Sequence, residues 1–169
     1  MNTQVHARTT SESATEALAC KLAEHLPSGT VVGLVGELGC GKTCFVRGLA
    51  AGLGIDPRDV ASPTFLYLVD YAGGRIALRH ADLYRFEGLS ARATEEGLTS
   101  IGLHDALASP GITAVEWWSR YVGPAPAELV VVEFVIETVD VRALTLTFSG
   151  AALEGAARAF AHETTRSGP

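Results

Sequence analysis

Residues 36–43 read Gly-Glu-Leu-Gly-Cys-Gly-Lys-Thr, with the spacing Gly-x4-Gly-Lys-Thr of the Walker A pattern. Glycines at these positions let the backbone curl into a nest whose N–H groups point at phosphate, and a following helix adds the positive end of its dipole. Lys42 then supplies a mobile point charge for β- and γ-phosphates, and the Thr43 hydroxyl reaches Mg2+. The contact set drawn this way is Gly36, Glu37, Leu38, Gly39, Cys40, Gly41, Lys42, Thr43 and Cys44. Lys42 is one of only two lysines among 13 basic side chains. The others are arginines, and a planar guanidinium does not replace a compact ammonium in a tight phosphate nest. The glycine order is Gly-x-x-Gly-x-Gly, which disfavours a dinucleotide fold.

Mg2+ needs further oxygen ligands, and hydrolysis needs a group that positions water. In open α/β folds ligands bind at the C-terminal ends of the strands, and two acids fit that location. Glu116 closes the apolar run ITAVE. Asp82 lies in HADLYR, where strand alternation puts His80, Asp82 and Tyr84 on one face and Ala81 and Leu83 on the other. The competing reading for each acid is a helix cap or a surface partner for an arginine. Glu95 and Glu96 read most simply as a solvated helix face, Trp117 and Trp118 as packing or base-stacking side chains, and His80 as a satisfied, half-buried residue. Guanine readers carry an Asn-Lys-x-Asp element, and the only asparagine is Asn2, so ATP is the expected nucleotide. Asp70-Tyr71-Ala72-Gly73 matches a DxxG switch by letters but reads better as a hairpin turn.

These groups need a scaffold, and its pieces are visible. Ser13-Ala14-Thr15-Glu16 has capping-box spacing, and Ala17, Leu18, Leu22 and Leu26 continue as a helix stopped at Pro27-Ser28-Gly29. TVVGLV is a buried parallel strand that feeds the glycine loop, and KTCFVRGLAAGLG a helix ending at Gly52 or Gly54. TFLYLVDYAGGRIALRHADLYR contains two strands joined at Gly73-Gly74. A helix over roughly 88–108, the short strand ITAVEW, a loop at Pro124 and Pro126, and an antiparallel hairpin turning near Asp140 follow. The expected unit is one α/β domain over 1–150 with a mixed sheet. Residues 151–169 form an Ala-rich helix and a polar, frayed tail with no assigned role.

Composition narrows the function classes. A chain of 169 residues, 47% hydrophobic and 19% charged, suits one soluble globular domain. Net charge is −6, which disfavours nucleic acid as the main direct partner, because backbone affinity rests on clustered Lys and Arg. Cys20, Cys40 and Cys44 form no CxxC pair and the five histidines are scattered, pointing to free thiols rather than a zinc site. The polar N-terminus lacks a secretory h-region, and no apolar run approaches the ~18 residues of a membrane span. A cytoplasmic location without membrane contact is expected.

Four separated stretches resemble one family: GELGCGKTCFVRGLAAGLGI, SPTF at 62–65, HADLYR at 80–85 and VEWWSR at 115–120. With the N-terminal helix and EEGLTSIGL at 95–103, they resemble the TsaE (YjeE) family over roughly residues 13–148. That family comprises small bacterial ATPases required for threonylcarbamoyladenosine in tRNA. The resemblance implies a three-layer P-loop NTPase fold with a mixed, mostly parallel sheet and a C-terminal antiparallel hairpin. It also implies a Mg2+-dependent ATPase, cycling between ATP and ADP, that associates with TsaB and TsaD. Their complex transfers the threonylcarbamoyl group, hydrolysis serves its turnover, and tRNA is met only indirectly. Carried over by residue, Lys42 holds phosphate, Thr43 and Glu116 bind Mg2+, and Asp82 positions or activates water. Thr64 responds to the γ-phosphate and Trp117 lies close to the nucleotide. Two positions depart from the family pattern: Cys40, often Ala there, makes the loop oxidisable, and Gly97 weakens the helix around it. Outside the resemblance, a P-loop small-molecule kinase with Arg85 or Arg120 on a lid, and a non-catalytic nucleotide-dependent adaptor, remain as alternatives.

Overall fold

Strand β2 (Val31–Val35) is apolar on both faces and buried from Val31 to Leu34, as a central parallel strand must be. The computed structural model describes residues 2–166. Among these, seven strands form one sheet in the order β1-β7-β6-β2-β5-β4-β3. The others are β1 (Thr3–Thr9), β3 (Leu68–Tyr71), β4 (Leu78–Asp82), β5 (Ile112–Glu116), β6 (Leu129–Ile136) and β7 (Arg142–Ser149). β2 runs parallel to β5 and β6, and β4 parallel to β5. β3, β7 and β1 add antiparallel at the two sides. This is a P-loop fold with a mixed sheet whose centre is parallel. The register sets Leu34 and Asp82 on either side of Glu116, so the loop after β2 and both candidate acids meet at one sheet edge.

Helices cover both faces. On one side α1 (Glu12–His25), α2 (Lys42–Leu53) and α5 (Leu153–Arg166) pack over Val32, Leu34, Ala114 and Val130. On the other, α3 (Ala91–Ser100) and α4 (Leu103–Ala108) contribute Leu98 and Leu103 to a core with Val31, Ala81 and Val115. The alternation of neighbours such as Val31 and Val32 between the two cores is the period-2 signature of a strand buried on both faces. α2 is pressed against α1: a Cβ at Gly48 or Gly52 would run into the carbonyl oxygens of Glu16 or Cys20. The helix therefore passes through Gly52, and Gly54 caps it.

Several local expectations are corrected. The N-terminal segment is strand β1, paired with β7 from Thr3 opposite Phe148 to Thr9 opposite Arg142. The N-cap of α1 is Ser11, not Ser13; the extended backbone of Ser11 lets its hydroxyl accept from the Ala14 amide at 3.0 Å. The single helix expected at 88–108 is two helices, broken at Ile101-Gly102. Helix α3 forms through Gly97, where a Cβ would come within 2.5 Å of the Phe86 ring, so the glycine makes room for that aromatic.

The segment after Gly150 is also part of the packed structure. α5 runs to Arg166, taking in polar residues read from sequence as a tail, while residues 167–169 of that tail lie outside the described residues. Leu153, Ala156, Ala157 and Phe160 join the same core as α1 and α2. Phe160 is fully buried, so Phe160→Ala should lower unfolding free energy by about 3–5 kcal/mol. Urea denaturation followed by circular dichroism reads this directly; an unchanged midpoint would mean that α5 is dispensable to the core.

Candidate functional site

The loop between β2 and α2 is shaped by its glycines. Gly39 and Gly41 take φ of +77° and +109°, a region open to glycine and costly for other residues. No side chain caps α2, so first-turn amides of that helix are left for a ligand at its positive end. Lys42 is 4% exposed, and its ammonium donates to the carbonyls of Gly36 and Glu37 at 2.8 Å each. It also lies 3.8 Å from the centroid of the Trp117 ring. Two carbonyls and an aromatic face thus hold the cation at the mouth of the nest.

Beside it, Thr43 Oγ1 donates to Glu116 Oε1 at 2.7 Å. Both residues line a cleft of about 540 Å³, with Lys42, Thr64, Asp82 and Trp117 also on its walls. A hydroxyl and a carboxylate side by side suit a small hard cation that keeps its remaining positions for phosphate and water. Among the described residues, no group of three or more His, Cys, Asp or Glu side chains is placed to hold a metal alone. The donor set therefore fits Mg2+ carried with a phosphate ligand. Across the cleft, Asp82 is 2% exposed. Its Oδ2 accepts from Ser62 (2.7 Å) and Thr64 (2.8 Å), and its Oδ1 from the Tyr84 amide (2.8 Å). Three donors fix the orientation of this carboxylate.

Trp117 follows Glu116 in a left-handed conformation, φ 59°, which costs a bulky residue of order 1–3 kcal/mol. The twist lays its ring over Lys42, with the Arg120 guanidinium 4.2 Å from the ring centroid. Arg120 is further tied to the carbonyls of Leu83 and Tyr84 and to Glu87, so it braces the site rather than riding on a lid. Trp118 covers Gly33 and packs against the core that contains Leu98 and Leu103, stacked on Tyr121 at 4.4 Å.

Lys42, Thr43, Thr64, Asp82, Glu116 and Trp117 are thus brought to one cleft, with Gly39, Gly41 and Leu38 on its loop side. Cys44 also borders the cleft and Cys40 does not, and both thiols are shielded. The Cys40 side chain is fully buried, and burial pushes its thiol up, partly offset by Lys42. The Cys44 thiol donates to the Glu12 carbonyl at 3.2 Å, and burial, with Glu16 and Glu12 adding, pushes it up to about 12. Thiolate is the reactive form, so the expected oxidisable loop is corrected to a shielded one. Asp70-Tyr71-Ala72-Gly73 is the end of β3 and the start of its turn.

Three further residues are brought to the site by the fold. Ser62 shares Asp82 with Thr64; the pair of hydroxyls flanking Pro63 was its signal. His80 is fully buried rather than half-buried, with Nε2 2.8 Å from Glu116 Oε1. Arg142 donates from β7 to the carbonyls of Cys40 (3.1 Å) and Gly39 (3.4 Å), bracing the loop from behind. No local pattern marks it.

Comparison with known proteins gives a family match. The family model described as threonylcarbamoyl adenosine biosynthesis protein TsaE matches residues 9–144. The chain belongs to the TsaE family. It is 42% identical over 101 residues to the Treponema pallidum tRNA threonylcarbamoyladenosine biosynthesis protein TsaE, covering 60% of this chain and 69% of that one. It is 35% identical to the Bacillus subtilis protein of the same description, over 87% of each. The crystal structure of Bacillus subtilis YdiB superposes with TM-score 0.72 at 28% identity, covering 98% of this chain and 97% of that one. As a TsaE family member the protein takes part in tRNA threonylcarbamoyladenosine biosynthesis. No helix among the described residues is long and apolar enough to cross a membrane.

Proposed function

We propose that this chain binds and hydrolyses ATP with Mg2+, and that hydrolysis supports turnover of a TsaB–TsaD complex in tRNA threonylcarbamoyladenosine formation. The observation that carries the reading is the convergence of a phosphate nest, the Thr43–Glu116 pair and the clamped Asp82 carboxylate on one cleft. Phosphate oxygens accept from the free amides of the loop and from Lys42, whose ammonium is already held at its mouth. Thr43 and Glu116 would hold Mg2+, which would supply charge neutralisation at the phosphates. Asp82 accepts a proton from, or orients, the attacking water. Thr64, bonded to Asp82, ties the 62–65 loop to that event. Trp117, backed by Arg120, walls the cleft and limits water.

The chain would work on its partners through protein contacts, which an acidic protein of net charge −6 can make without a basic surface for tRNA. Release of phosphate from ATP by the purified chain, with and without TsaB and TsaD and with no other acceptor, tests the proposal. Release that rises with the two partners is expected, together with ATP-dependent co-purification. No release in either condition would turn the reading toward a kinase or an adaptor, and no association in either nucleotide state would remove the partners.

A further inference from the structure

His80 sits in β4 with none of its surface exposed. Burying an imidazole is costly unless its nitrogens are bonded, and only one of them is. Nε2 lies 2.8 Å from Glu116 Oε1, while Nδ1, equally buried, has no hydrogen-bond partner. A leucine or valine would fill such a strand position without this cost. The one bond His80 makes is therefore its distinguishing property.

That bond lands on the oxygen that Thr43 also holds at 2.7 Å. The two donors approach from different elements, α2 and β4. The parallel register puts Asp82 opposite Glu116 and His80 opposite Ala114, so His80 lies two residues behind Glu116 on the same sheet face and reaches forward to it. Glutamate has three rotatable torsions, and a donor fixed in a buried strand restrains the last of them. Thr43 cannot do this alone, because its hydroxyl is itself a proposed metal ligand. His80 is not among the residues that line the cleft, so it touches neither nucleotide nor water.

We propose that His80 is a positioning residue whose Nε2–H holds the Glu116 carboxylate in the orientation it needs as a Mg2+ ligand. The inference rests on the Mg·ATP reading above. Outer-shell partners of metal ligands typically contribute about 10–100-fold to metal affinity, and His80 has the burial and geometry of such a partner.

The test is titration calorimetry of the full chain with β,γ-imido-ATP, once with Mg2+ and once with EDTA. The ratio of the two affinities is the Mg2+ increment. His80→Phe should lower that increment about 10–100-fold and leave the EDTA affinity unchanged. His80→Gln, whose amide reaches the place of Nε2, should retain it. His80→Asn, whose amide stops at the place of Nδ1, should lose it, and covers the case in which Phe disturbs folding. A Phe or Asn variant with the wild-type increment overturns the inference, as does one that loses affinity equally in Mg2+ and EDTA. Wild-type protein that binds no nucleotide overturns the ATP reading itself. Wild-type protein whose binding shows an increment that none of the variants alters overturns the inference alone.

Discussion

Lys42→Ala is expected to abolish measurable ATP binding at micromolar nucleotide. Hydrogen bonds to charged groups are worth about 1.5–3 kcal/mol each, so two phosphate contacts correspond to an affinity loss of about 10²–10⁴-fold. The loop is also altered from within. In the wild type the ammonium satisfies the Gly36 and Glu37 carbonyls at 2.8 Å, and alanine leaves both without that donor. Lys42→Arg is expected to restore little, because a planar guanidinium cannot occupy the space between two carbonyls and the Trp117 face. Calorimetry with ATP is the measurement, with a thermal melt to establish that the variant is folded. An unchanged dissociation constant would remove Lys42 from the site.

Asp82→Asn is expected to separate binding from turnover. The amide keeps the shape of the side chain and can still accept from Ser62 or Thr64, so the 62–65 loop stays attached. It loses the negative charge and the capacity to take a proton from water. Nucleotide affinity should stay within a few-fold, while the single-turnover rate of phosphate release falls by about 10²–10⁴-fold, the usual contribution of a positioned base. Wild-type hydrolysis in this variant would reduce Asp82 to an anchor for the loop. A fall in affinity as large as the fall in rate would place it in ground-state binding instead.

Legibility in the sequence followed the range of the interaction. The phosphate loop is readable because its work is done by backbone and two adjacent side chains, Lys42 and Thr43. Glu116 and Asp82 are readable because strand ends expose acids at a fixed edge. β1 was missed because an edge strand buries only one face: of its seven residues, Val5 and Thr9 alone are buried. The cap of α1 was misplaced by two residues because Ser11 and Ser13 are equally good capping types; only the extended backbone at Ser11 decides between them. Arg142 carries no pattern at all. It reaches the loop from a strand 102 residues away from Cys40, and sheet order alone brings it there. His80 was visible as a letter in HADLYR, but its full burial and bond to Glu116 depend on the pairing of β4 with β5.

The sheet order has a consequence for how the protein is made. β2 is synthesised early, yet both of its neighbours, β5 and β6, come from the second half of the chain. Arg142, which braces the loop, comes later still. At ~5–20 residues per second, the interval before the ribosome reaches it is on the order of ten seconds. Until β5 and β6 emerge within it, β2 has two unpaired edges and apolar side chains on both faces, the type of segment that aggregates or recruits a chaperone. A prematurely terminated product carries the whole GELGCGKT motif and no phosphate site. Nucleotide would thus distinguish finished chains from fragments, and its presence during refolding should favour the former by mass action.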